Sequence, residues 1–122
     1  MEAKIRAAVA AKGNPDFLLI ARTDSRALEN FDGAVRRAQA YVAAGADAIF
    51  PEALQTKEEF RDFAKEVQVP LLANMTEFGK SPPLIVPELG ELGDRVVIFP
   101  QRAFRISVKA PEDFFYSLQT HG

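Results

Sequence analysis

The chain has 122 residues, enough to bury one apolar core; 48% of them are hydrophobic and 26% charged, as in globular proteins. A net charge of −2, with basic residues scattered rather than striped, gives no electrostatic reason to expect nucleic acid or an anionic membrane as partner. The absence of cysteine excludes disulfides, thiolate metal sites and a cysteine nucleophile within the chain.

Met1 to Lys12 alternates charged residues with alanine and lacks the apolar centre of a signal peptide. No apolar run approaches the ~20 residues that span a bilayer, so the expected location is cytoplasmic. Glu2 to Lys12 has helical spacing, with Ile5, Ala8 and Val9 on one side, and stops at Gly13. Phe17 to Ala21 is a continuous apolar run, the pattern of a strand buried on both faces. A helix is predicted from about Gly33 to Ala44, with Val35, Ala38, Tyr41 and Val42 inward and Gly45 at its end.

A second strand is predicted over Ala48 to Phe50. The next helix opens on Thr56-Lys57-Glu58-Glu59, a capping box in which the threonine hydroxyl and the Glu59 carboxylate each satisfy a free backbone N–H. Phe60, Phe63, Ala64 and Val67 form its apolar stripe. Strands over Pro70 to Ala73 and Arg95 to Phe99 flank a weaker helix after Pro87, shortened by Gly90 and Gly93. Ala103 to Lys109 and Pro111 to Gln119 close the chain as helices, with Pro111 at a first helical position.

The order α-β-α-β-α-β-α-β-α, with a repeat of two to three dozen residues, matches parallel βα units. No linker or low-complexity tract interrupts it, so residues 1–122 read as a single domain. The pattern leaves open a closed barrel, an open sheet or part of a barrel.

In parallel α/β folds, chemistry collects at the carboxyl ends of the strands. Here those ends carry Arg22-Thr23-Asp24, Pro51-Glu52, Asn74-Met75-Thr76-Glu77, and Pro100-Gln101 with Arg102 and Arg105 beyond. The amino ends, among them Asp94, are blander. Arginine offers a planar fork for carboxylate, and asparagine and threonine add orienting hydrogen bonds, so the rim suits a carboxylate-rich ligand. An ionised Glu52 would instead hold water on a divalent cation or orient an arginine.

Plainer readings stand beside these. Arg22 with Asp24 makes a loop ion pair, Glu52 after proline a turn residue, Asn74 a partner for backbone groups, and Arg105 a solvated helix residue. Thr76 has the least support from residue type alone. His121 falls in a frayed tail, and Phe114, Phe115 and Leu118 read as core or interface residues. Gly-rich phosphate-binding fingerprints are absent.

Three segments also carry a resemblance: Ile20 to Asp24 (IARTD), Ala44 to Ala53 (AGADAIFPEA) and Leu72 to Gly79 (LANMTEFG). They resemble the isocitrate lyase and phosphoenolpyruvate mutase superfamily, and the last two are most similar to its 2-methylisocitrate lyase branch. The resemblance runs from about Ile5 to Arg105. It implies a partial (β/α)8 TIM barrel, four parallel βα units corresponding to the fifth to eighth strands. It implies that Arg22, Asn74, Thr76 and Arg105 contact substrate carboxylates, and that Glu52 stands behind the water shell of Mg2+. The implied reaction is retro-aldol cleavage of 2-methylisocitrate to pyruvate and succinate, with Mg2+ stabilising the pyruvate enolate.

The departures define a further expectation. The family's metal-binding aspartate pair and its Lys-x-Cys-Gly-His loop lie on earlier strands and have no counterpart here, and its closing helix is not matched. The chain is therefore expected to be truncated, inactive alone, and to pair with another copy or with an amino-terminal half barrel. A dicarboxylate-binding or interaction half-barrel, an oxaloacetate decarboxylase and a carboxyphosphonoenolpyruvate phosphonomutase are the other readings.

Overall fold

The computed structural model describes residues 1–122. Nine elements follow in order: α1 (Glu2–Ala10), β1 (Ile20–Thr23), α2 (Arg26–Ala43), β2 (Ala48–Pro51), α3 (Lys57–Glu66), β3 (Leu71–Asn74), α4 (Val86–Leu92), β4 (Asp94–Ile98) and α5 (Arg102–His121). The four strands form one parallel sheet in the order β1-β2-β3-β4.

Successive strand residues face opposite sides of a sheet, and here the two sides differ. Ala21, Ile49, Leu71 and Ala73 join Ile5, Ala34, Ala38, Phe60, Phe63 and Leu89 in one core, so α1 to α4 all bury residues with the same sheet face. Their neighbours Ile20, Arg22, Phe50, Asn74 and Val96 lie on the face without helices. A doubly wound sheet would be covered on both sides; one-sided cover is the arrangement of a sector of a (β/α)8 barrel. The question left open by the sequence pattern is resolved in favour of the partial barrel.

Local chemistry explains where the elements start. β1 begins at Ile20 rather than Phe17, because the Asn14 side chain accepts from Asp16 N–H at 2.9 Å and its carbonyl from Phe17 N–H at 3.2 Å. That turn holds Phe17 and Leu18 out of the sheet, and both are exposed. Within α2, Asn30 adopts a left-handed conformation (φ 64°), and its side chain accepts from Gly33 N–H at 3.1 Å. It caps the main helical run, which therefore begins close to Gly33, behind one preceding turn.

The predicted capping box of α3 is half formed. Thr56 Oγ1 accepts from Glu59 N–H at 3.1 Å, but the Glu59 carboxylate accepts from Gln55 N–H at 2.8 Å instead of Thr56. Arg26 of α2 competes for that carboxylate, donating from Nη2 at 2.7 Å and from Nε at 3.0 Å. α4 is short, as its glycines predict, and stops at Gly93 in a left-handed conformation (φ 116°).

Three expectations are corrected in the last helix. α5 runs unbroken through Pro111, which removes one helix hydrogen bond; on so exposed a helix, solvent can satisfy the freed Ser107 carbonyl. α5 buries no residue, so of the two readings of Phe114, Phe115 and Leu118 as core or interface residues, the core reading is overturned. His121 is helical rather than frayed: its Nδ1 lies 2.8 Å from Thr120 Oγ1. No helix is long and apolar enough to cross a membrane.

Candidate carboxylate-binding rim

The register of β1 with β2 pairs Arg22 with Phe50 and Thr23 with Pro51, and Glu52 N–H extends the ladder to the Thr23 carbonyl at 2.9 Å. This brings the first charged residue after β2 beside the arginine of β1. Arg22 Nη2 lies 3.2 Å from Glu52 Oε2, and Asn74 Nδ2, at the end of β3, donates to the same oxygen at 3.3 Å. Three adjacent strands thus deliver Arg22, Glu52 and Asn74 into one polar line. The Asn74 amide oxygen is buried and has no partner.

Arg22 is already heavily engaged. Its Nε and Nη2 donate to the two Asp24 oxygens at 3.0 and 2.7 Å, and its guanidinium sits 4.7 Å from the Phe50 ring centre. Hydrogen bonds to Asp24 raise the Arg22 pKa, and the same bonds hold the Asp24 carboxyl below its usual range. The loop ion pair with Asp24 is therefore formed, and the same guanidinium lies beside Glu52 at the strand ends. Glu52 is oriented toward the arginine.

Beyond β3, Thr76 makes no side-chain hydrogen bond and lies against Gly79, where an added Cβ would approach its Cγ2 to 2.8 Å. Asn74, Thr76, Glu77 and Arg102 line one cavity of about 270 Å³, closed by the loop from Phe78 to Leu84. Arg105 does not line it. It belongs to the neighbouring hollow, where its Nη1 donates to Glu77 Oε2 at 2.7 Å. Arg22, Glu52 and Asn74 are joined directly, Thr76 shares the cavity with Asn74, and Arg105 adjoins that cavity through Glu77 and through the Phe78 ring, whose centre lies 5.3 Å from its guanidinium.

Backbone strain marks the same end of the sheet. The loops leaving β2, β3 and β4 each hold a non-glycine residue in the left-handed region: Ala53 (φ 61°), Phe78 (φ 62°) and Gln101 (φ 67°). No three His, Cys, Asp or Glu side chains gather to hold a metal ion. The residues of this chain do not by themselves fit the Mg2+ centre that the resemblance implies.

The chain matches the phosphoenolpyruvate phosphomutase family over residues 1–118. It belongs to that family. It is 54% identical, over its whole length, to 2-methylisocitrate lyase of Aeropyrum pernix, covering 39% of that protein. It is 51% identical over 108 residues to 2-methylisocitrate lyase of Bacillus subtilis, covering 36% of it. The fold matches the crystal structure of 2,3-dimethylmalate lyase, a PEP mutase/isocitrate lyase superfamily member. There the TM-score is 0.90 at 36% identity, over 99% of this chain and 44% of that one. The chain thus spans about two fifths of the length of the curated relatives it matches.

Two features of this family member were not evident from residue types alone. Glu77 and Arg102 stood in the right loops, but only the fold shows that they meet at 3.2 Å. Asp94, at the amino end of β4, is buried with neither carboxylate oxygen hydrogen-bonded. An acid two residues before the β-branched run Val96 to Ile98 is the only signal the sequence offered for it.

Proposed function

We propose that the chain supplies part of the carboxylate-binding rim of a carbon–carbon lyase that cleaves 2-methylisocitrate to pyruvate and succinate. The observation that carries this reading is the line Arg22–Glu52–Asn74, built from three successive strand ends in a relative of 2-methylisocitrate lyases. Arg22 and Arg105 would take ligand carboxylates, Asn74 and Thr76 would fix their orientation, and Glu52 would set the angle of the Arg22 guanidinium.

Binding alone does not break a carbon–carbon bond. Enolate stabilisation and proton transfer each contribute orders of magnitude in rate. The family's Mg2+ would supply the first, but this chain has no ligand set for it and no cysteine for the second. The proposed state of the isolated chain is a binder without turnover, completed by a second copy or by an amino-terminal half barrel.

A coupled assay with 2-methylisocitrate and Mg2+, run beside a calorimetric titration with succinate, tests both halves of the proposal. Succinate binding without turnover is the expected result. Robust turnover by the purified chain would remove the claim of dependence on a partner; no succinate binding would remove the rim.

A further inference from the structure

The proposed reading rests on Arg22 and Arg105, yet the surroundings of the arginines on the two sides of Asn74 are unequal. Arg22 faces two carboxylates, Asp24 and Glu52, so its charge is more than matched. On the other side of Asn74 the balance is reversed. The single carboxylate of Glu77 is shared between Arg102 Nε (3.2 Å) and Arg105 Nη1 (2.7 Å), which leaves one positive charge in surplus. An anion entering from solvent is drawn to the surplus.

Position separates Arg102 from Arg105. Arg102 lines the cavity that holds Asn74 and Thr76, and Arg105 does not. Arg102 donates through Nε alone, and both terminal Nη groups are without protein partners. Its guanidinium is stacked 4.7 Å from the Phe99 ring centre. A planar fork fixed at its base by one carboxylate and one ring, with its tips free beside an asparagine and a threonine, is arranged to receive a carboxylate at two points.

We infer that Arg102, positioned by Glu77 and Phe99, takes one carboxylate of the ligand in the cavity of Asn74 and Thr76. This deepens the proposed function and rests on it. Arg22 and Arg102 would then hold opposite ends of a dicarboxylate, with Asn74 between them. The ligand class is a short dicarboxylate rather than a monocarboxylate, because a single anionic end could engage only one of the two guanidinium groups.

Calorimetric titration with succinate, and with butyrate as its single-ended analogue, tests the assignment. The proteins are the wild-type chain, Arg102→Met, Arg102→Lys, Arg22→Ala and, as a distant surface control, Arg61→Ala. Loss of a charge-assisted, two-point contact predicts at least about tenfold weaker succinate binding in Arg102→Met. Arg102→Lys, which keeps charge but not the fork, should fall between, and Arg61→Ala should match wild type. Butyrate should bind wild type more weakly than succinate. If Arg102→Met binds succinate as wild type does while Arg22→Ala is impaired, the rim stands and Arg102 has no part in it. If wild type does not bind succinate at all, the rim and the Arg102 assignment fall together. Since Arg102 is half exposed, its substitution leaves the core untouched, and a matching circular dichroism melt checks that.

Discussion

The guanidinium of Arg22 and the carboxylate of Glu52 meet across β1 and β2 at 3.2 Å, and the same Glu52 oxygen accepts from Asn74 on β3. One carboxylate thus ties three strand ends together, while Asp24 holds the other side of the arginine. Any ligand carboxylate must share Arg22 with these two acids. Arg22→Ala is expected to weaken succinate binding at least about tenfold. Asp24→Asn should have the opposite sign, since it keeps an acceptor beside Arg22 and removes a competing negative charge. Titrations at low and high salt separate the two readings of Arg22: were it only a loop ion pair, neither substitution would change succinate affinity.

Thr76 owes its place to a missing side chain. A Cβ on Gly79 would stand 2.8 Å from Thr76 Cγ2 and 3.3 Å from its carbonyl oxygen, so Gly79→Ala must push the threonine away from its present position. Overpacking of this kind costs about 1 kcal/mol or more when the neighbour is rigid, and less when a loop yields. The expected outcome is a small loss of stability in a thermal melt together with severalfold weaker succinate binding. Unchanged affinity would show that Thr76 does not contact the ligand.

Asp94 makes stability depend on pH in an unusual direction. Only 5% of the residue is exposed, neither oxygen has a hydrogen-bond partner, and burial pushes its pKa from 3.8 to about 6. The folded chain therefore holds this proton more tightly than the unfolded chain. The contribution is fully present below about pH 4 and is lost as pH rises through about 6. Asp24, Asp47 and Glu88 act oppositely, their carboxyls held low by Arg22, by the Leu19 backbone N–H and by Lys57 respectively. Comparison of wild type with Asp94→Asn isolates the single group. The variant is expected to be more stable at pH 7 by about 1–2 kcal/mol and to lose that advantage near pH 4. Urea unfolding at both pH values measures it, and equal stability at pH 7 would contradict the assignment.

Most of the architecture was legible because it follows from local rules. The stripe of Phe60 and Phe63 is buried on α3 as its spacing requires, and Gly93 ends α4 in the left-handed conformation that glycine permits. What was not legible depended on competition between distant groups. Glu59 belongs to a capping box by spacing, but Arg26, thirty-three residues earlier, reorganises it. Phe17 has the character of a strand residue, but Asn14 captures it in a turn. The rim divides in the same way. Residue types at strand ends marked Arg22, Glu52, Asn74 and Thr76, whereas the bridging of Arg102 and Arg105 by Glu77 needs the path of α5 over the loop after β3.

The edges of the sheet lead to the last expectation. β1 and β4 each pair on one side only, leaving backbone N–H and C=O groups along the other. The face without helices adds apolar surface at the same two strands, with Ile20 and Val96 both 41% exposed. Parallel strands are ordinarily buried on both faces, so a chain exposing both an edge and a face is prone to associate. Sedimentation velocity over a range of concentrations should show self-association that grows with concentration. Ile20→Lys combined with Val96→Lys should reduce it, because association would have to bury the new charges at the sheet edges. The substitutions lie opposite the helix-covered core, so thermal stability at high dilution should change little. A wild-type chain that sediments as a well-dispersed monomer at high concentration would mean that these edges are protected within the chain itself.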